Sequence, residues 1–119
     1  MGYFQSNELQ DKSTVLHVYQ GIDAETLGIE VAKVLASRGY EIKEGNPQDG
    51  VFERGNRIIR ILLGAFHKYF KFGVRIEPGE GDILKVRVHK LTSGFSGGVI
   101  GVNQVKNELK GLAEALKTI

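Results

Sequence analysis

Histidines at positions 17, 67 and 89 are the side chains of this chain best suited to moving protons or holding a metal near neutral pH. They sit in segments of different character, and none has a second histidine or a carboxylate at ligand spacing. One pairing is open to them. If the first and last strands are neighbours, His17 and His89 face each other and make a two-histidine site fit for a small enzyme; otherwise they are surface strand histidines. No Ser-His-Asp order, nucleophile elbow or paired carboxylates stand out. The chain has no cysteine, which removes disulfides, thiolate metal sites and cysteine nucleophiles together. The sequence leans away from an enzyme, assigns no catalytic residue or metal ligand, and implies no cofactor.

A second stretch with chemical potential is "TSGFSGGVIGVNQ", residues 92–104. Ser93, Ser96, Gly97 and Gly98 form a candidate anion loop, because the free N–H groups and dipole of the helix expected to follow favour negative charge. The spacing is not that of a P-loop: no Lys-Ser/Thr pair closes it, and the fingerprint G-x-G-x-x-G is missing. The same residues read equally as a crossover whose glycines let the chain pass close to a sheet. Phe95, Val99 and Ile100 are apolar for a loop; they pack down or form a greasy tip.

The charge is unevenly spread. Residues 1–53 carry a net −5, residues 54–91 a net +6 and residues 92–119 a net +1. Within the basic block, Lys71, Arg75, Lys85, Arg87 and His89 alternate with apolar residues and should share one face of adjacent strands, with His17 and Tyr19 as further members. With Arg57 and Arg60 they form a basic set able to track phosphates of an anion or nucleic acid. Single-strand binding usually adds aromatic platforms, and only Tyr19 offers one; Glu53 and Glu77 also intrude. The plainer alternative is a solvated face that keeps a sheet soluble.

"RIIRILLGAFHKYFKF", residues 57–72, is the densest apolar run. As a strand, 57–66 fails to alternate. As a helix, Ile58, Ile59, Leu62, Leu63 and Phe66 fall within one arc, with Arg57, Arg60 and His67 opposite and Ile61 out of place. Three roles fit: a core element against the sheet, a lid over a cavity, or an interfacial segment on a membrane.

The elements that must position these residues follow from periodicity. "STVLHVYQ" (13–20) reads as a strand. Asp23 caps a helix over 24–38, in which Leu27, Val31, Val34 and Leu35 recur at helical spacing and after which Gly39 supplies a left-handed residue. Gly28 inside it implies close backbone contact. "YEIKE" (40–44), the turn-rich "GNPQDG" (45–50) and "VFERG" (51–55) form a hairpin. Residues 70–77 and 84–89 alternate cleanly, and a helix of about 103–118 carries Val105, Leu109, Leu112, Leu116 and Ile119 on one seam.

The expected fold is therefore α+β: an antiparallel sheet of about five strands with two helices on one face, in the order β-α-β-β-(short helix or strand)-β-β-α. By element order alone this resembles the TATA-binding-protein-like and helix-grip group of α+β folds, a likeness that carries no function with it. The 119 residues suit a single domain, over 13–119. Residues 1–12 read as disordered or as a vector-derived scar, because "GYFQSN" looks like a viral-protease cleavage remnant.

No apolar stretch reaches the roughly 18–20 residues that span a bilayer, and the expected location is cytoplasmic or peripheral to a membrane. The function expected is a non-enzymatic binding domain for an apolar or amphipathic partner (lipid, membrane surface or protein) through 57–66 and the 94–101 loop. Anion or nucleic-acid binding is the alternative, and pairing of copies by sheet edges is also open.

Overall fold

A computed structural model describes residues 2–10, 13–54, 70–91 and 98–119, with the backbone alone at Gln10, Phe70 and 98–105. The elements are β1 (Phe4–Gln10), β2 (Thr14–Gln20), α1 (Ala24–Ser37), β3 (Glu41–Asn46), β4 (Asp49–Arg54), β5 (Phe70–Pro78), β6 (Ile83–Lys90) and α2 (Gly98–Leu116). Every strand pairing is antiparallel, in the spatial order β1-β2-β6-β5-β4-β3.

The alternation read in 70–77 and 84–89 is realised as neighbouring pleated strands, with Val74 opposite Val88 and Ile76 opposite Val86. Phe72, Val74, Val86 and Val88 enter the core beside Leu27, Val31 and Leu35 of α1 and Leu109, Leu112 and Leu116 of α2. Both helices thus cover one face, and burying these apolar groups is the main stabilising term.

Local chemistry sets the boundaries of α1. Asp23 is extended, and its carboxylate accepts from the Thr26 N–H at 2.7 Å and the Thr26 hydroxyl at 3.0 Å. These bonds hold its carboxyl below the usual range. At the other end Gly39 takes φ +90°, where a side chain would be strained. Gly28 is the close contact that the sequence implied. A Cβ there would lie 3.3 Å from the Pro47 side chain in the β3–β4 turn, so glycine lets that hairpin tip settle on the helix.

Two expectations are corrected. Residues 4–10 are strand β1, the sixth, and not a disordered leader. "FQSNELQ" shows little apolar alternation, and β1 is held as an edge by pairing with β2 across two register shifts. The Tyr3 and Phe4 N–H groups also donate to the Ile119 carbonyl at 2.9 and 3.1 Å. Secondly, α2 begins at Gly98, so Gly98, Val99 and Ile100 belong to its first turn and not to a crossover loop. The apolar spacing of Val105 runs back through Val102 and Val99 in steps of three. Continued helix there outweighs the cost of Gly98 and Gly101, about 1 kcal/mol each. The 57–66 run, with its helix-or-strand question, and Ser93, Phe95, Ser96 and Gly97 lie outside the described residues.

Candidate functional site

His17 is the most constrained polar side chain. It faces the helices with Val15 and Tyr19, and it is fully buried. Its Nε2 lies 3.0 Å from the Ala113 carbonyl oxygen, and the Phe4 ring meets it edge-on at 4.9 Å. A carbonyl only accepts, so Nε2 carries the proton and Nδ1 is left buried without a partner. Burial chiefly lowers its pKa, opposed by the bond to Ala113. Next to it the Tyr19 hydroxyl donates to the Leu116 carbonyl at 2.6 Å, and burial raises its pKa strongly. These two side chains bond carbonyls of the last turn of α2, of which the Leu116 carbonyl also accepts from the Ile119 N–H at 3.4 Å. Their chemistry is that of a helix clamp.

This placement corrects two readings. His17 and Tyr19 do not join the basic residues, because strand parity sends them under the helices. Nor do His17 and His89 make a site together. His89 lies on the opposite face, alternating with buried Val86 and Val88, and its register partner on β2 is Thr14.

A second polar group under the helices was not legible in the sequence. Glu108 of α2 accepts from Arg38 Nη2 at 3.3 Å, the Tyr40 hydroxyl at 2.7 Å and Arg54 Nη1 at 3.1 Å. Its side chain is only 10% exposed. Burial and then the Glu108 carboxylate push the Tyr40 pKa well up. The partners are 54–70 residues away along the chain. The one available signal was a carboxylate next to Leu109 on the apolar seam. This cluster ties the end of α1 and the β3–β4 hairpin to α2.

On the outer face, Lys71, Arg75, Lys85, Arg87 and His89 do share one side, as the alternation implied. They do not share it alone. Glu8 of β1 holds Lys85 at 2.9 Å, and Glu77 holds Arg87 through Nε and Nη2 at 3.2 and 3.3 Å. Asp49 stands opposite Arg75 in register, and Glu53 opposite Lys71. Four cations meet four carboxylates across β1, β4, β5 and β6, so the face presents mixed charge where phosphate tracking needs a positive stripe. Arg57 and Arg60 lie outside the described residues.

One hollow on this face is a groove of about 330 Å³ lined by Glu44, Asp49, Val51, Gly73, Arg75, His89 and Leu91. The His89 ring lies directly over Gly73, where any Cβ would strike its Cε1 and Nε2 atoms. Among the described residues no group of three His, Asp or Glu is placed to hold a metal ion, and no helix is long and apolar enough to cross a membrane.

The described residues that flank the two apolar runs come together at one end of the sheet. Arg54 and Phe70 are register partners at the ends of β4 and β5, so residues 55–69 leave and rejoin the sheet at one spot. Leu91 donates its N–H to the Lys71 carbonyl at 2.9 Å, so residues 92–97 start from the neighbouring strand at the same end. Leu91 itself is 43% exposed. No family model and no curated protein matches this sequence.

Proposed function

We propose that the chain is a non-enzymatic cytoplasmic binding domain that engages an apolar or amphipathic partner (lipid, membrane surface or protein). The contacts are assigned to Ile58, Ile59, Leu62, Leu63 and Phe66, together with Phe95, Val99 and Ile100. One observation carries the reading: residues 55–69 and 92–97, which hold the first five contacts and Phe95, are joined to the same end of strands β4, β5 and β6, at most two strand spacings apart, and Val99 and Ile100 follow in the first turn of α2. Strands lie about 4.8 Å apart, so the anchor points fall within roughly 10 Å. Residues far apart in sequence are thereby offered to a single partner. Among the described residues, the charged groups under the helices, Arg38, Arg54 and Glu108, are committed to one another.

The test uses two probes, an octyl-substituted resin as a lipid-free apolar surface and mixed phosphatidylcholine/phosphatidylserine vesicles. Wild-type protein is expected to bind at least one of them. Phe66→Glu and Leu62→Glu should each weaken that binding by about tenfold or more, the scale of losing one buried apolar side chain. Circular dichroism checks that each variant stays folded. No binding to either probe, or undiminished binding by Phe66→Glu, overturns the reading.

A further inference from the structure

We propose that the outer-face groove over Gly73 binds a small zwitterion with an apolar substituent, the chemistry of a free aliphatic amino acid such as leucine. The groove shares no residue with the contacts assigned above.

The hollow exists because one side chain is missing. His89, Gly73, Val51 and Glu44 stand in one row of register partners across the sheet, from β6 to β3. Gly73 leaves a gap in that row, and the His89 ring leans into it until Cε1 and Nε2 overlie the glycine. The ring's Nδ1 is buried there without a partner. A proton on it would be a buried donor with no acceptor, so the neutral ring carries its proton on Nε2, at the floor of the groove. Val51 and exposed Leu91 supply the apolar lining.

Charge is divided across the groove. Arg75 of β5 and His89 of β6 stand on one side, Asp49 of β4 and Glu44 of β3 on the other. Arg75 and Asp49 are register partners, yet they form no ion pair with each other. Among the described residues neither they nor Glu44 pair with any other group. Neighbouring cations of the face differ, since Lys85 is held by Glu8 and Arg87 by Glu77. The groove therefore keeps a guanidinium and two carboxylates that no side chain neutralises.

A plain anion would be drawn to Arg75 and repelled by Asp49 and Glu44, and a plain amine would meet the converse. A molecule with both charges satisfies both sides. Arg75 and the His89 Nε2–H donate to its carboxylate, and Asp49 and Glu44 accept from its ammonium. All three charged groups are exposed, so each contact alone is weak and occupancy depends on making several together. A volume of about 330 Å³ is at the low end of ligand pockets, roughly 300–1,000 Å³, and suits a single amino acid with its apolar chain laid on Val51 and Leu91.

The test follows backbone amide resonances by NMR as L-leucine is added to the folded chain. The amides of Val51, Gly73 and Arg75 should shift and saturate. Isocaproate, which lacks the ammonium, and isoamylamine, which lacks the carboxylate, should each bind at least about fivefold more weakly, the upper scale of an exposed ion pair. Arg75→Gln and Asp49→Asn should each cost leucine about fivefold, and Lys117→Gln, beyond the end of α2, should leave binding unchanged. Gly73→Ala drives the His89 ring from the gap and should weaken binding by a similar factor. If that variant does not fold, the Arg75 and Asp49 variants, both surface changes, still decide the matter.

No shift at these amides in tens of millimolar leucine overturns the proposal, as does undiminished binding by both Arg75→Gln and Asp49→Asn. Isocaproate binding as tightly as leucine would mean a plain anion site, and isoamylamine doing so a plain cation site; either result overturns the zwitterion.

Discussion

His17 and His89 sit on hydrogen-bonded neighbouring strands, yet one lies under the helices and the other on the outer face, and the two faces treat polar groups differently. Under the helices, His17, Tyr19, Tyr40 and Glu108 each have a short bond to a partner fixed by packing. On the outer face, Lys85 and Arg87 pair with Glu8 and Glu77 at the rim of solvent, about a third exposed. Low dielectric makes an inner bond costly to lose, whereas water replaces most of an outer one. The inner polar groups therefore serve architecture, and the outer ones are the more freely changed.

Glu108 is the strongest test of that contrast. Glu108→Ala leaves Arg38, Arg54 and the Tyr40 hydroxyl without their common acceptor. The expected loss in urea unfolding is about 3 kcal/mol, the low end for a buried pair because both arginines are partly exposed. A loss under about 1 kcal/mol, the scale of a surface pair, would erase the distinction between the faces.

His17 gives a medium effect with a pH signature. Its pKa lies below the ordinary 6.5 in the folded state. The native protein then binds fewer protons than the unfolded chain, so this contribution is complete above 6.5 and is lost as pH falls from there toward the folded value. The steepest slope from one group is about 1.4 kcal/mol per pH unit. Unfolding measured at several pH values from 7.5 to 5 should show a flatter dependence in His17→Gln than in the wild type; parallel curves would mean that the buried imidazole does not control acid stability. Glu114 and Lys117 of α2 face it with opposite and smaller influence.

Arg87→Gln is the smallest. Its bond to Glu77 is about a third open to water, and the expected change is within about 1 kcal/mol. A loss as large as that of Glu108→Ala would show that the outer pair is also structural.

Much of this was legible where a local rule governs one element. Phe72, Val74, Val86 and Val88 announced their face by period two. Asp23 and Gly39 bounded α1 because a cap and a left-handed residue are local chemistry, and Gly28 signalled a close approach that Pro47 fills. Strand β1 was not legible, since an edge held largely by backbone bonds needs little apolar pattern. The start of α2 was misread because glycines weigh against a helix in isolation, while the seam on either side of them continues.

The sequence by itself determined the class of fold, the covered side of the sheet and the concentration of positive and apolar residues in its middle. These depend on periodicity and composition, which act over a few residues. Only tertiary structure decided that His17 is a clamp and not half of a site, that Glu8, Asp49, Glu53 and Glu77 balance the cations of the outer face, and that two distant apolar runs leave from one end. Each of these depends on strand order and register, which bring together residues tens of positions apart, and no local pattern encodes such a pairing.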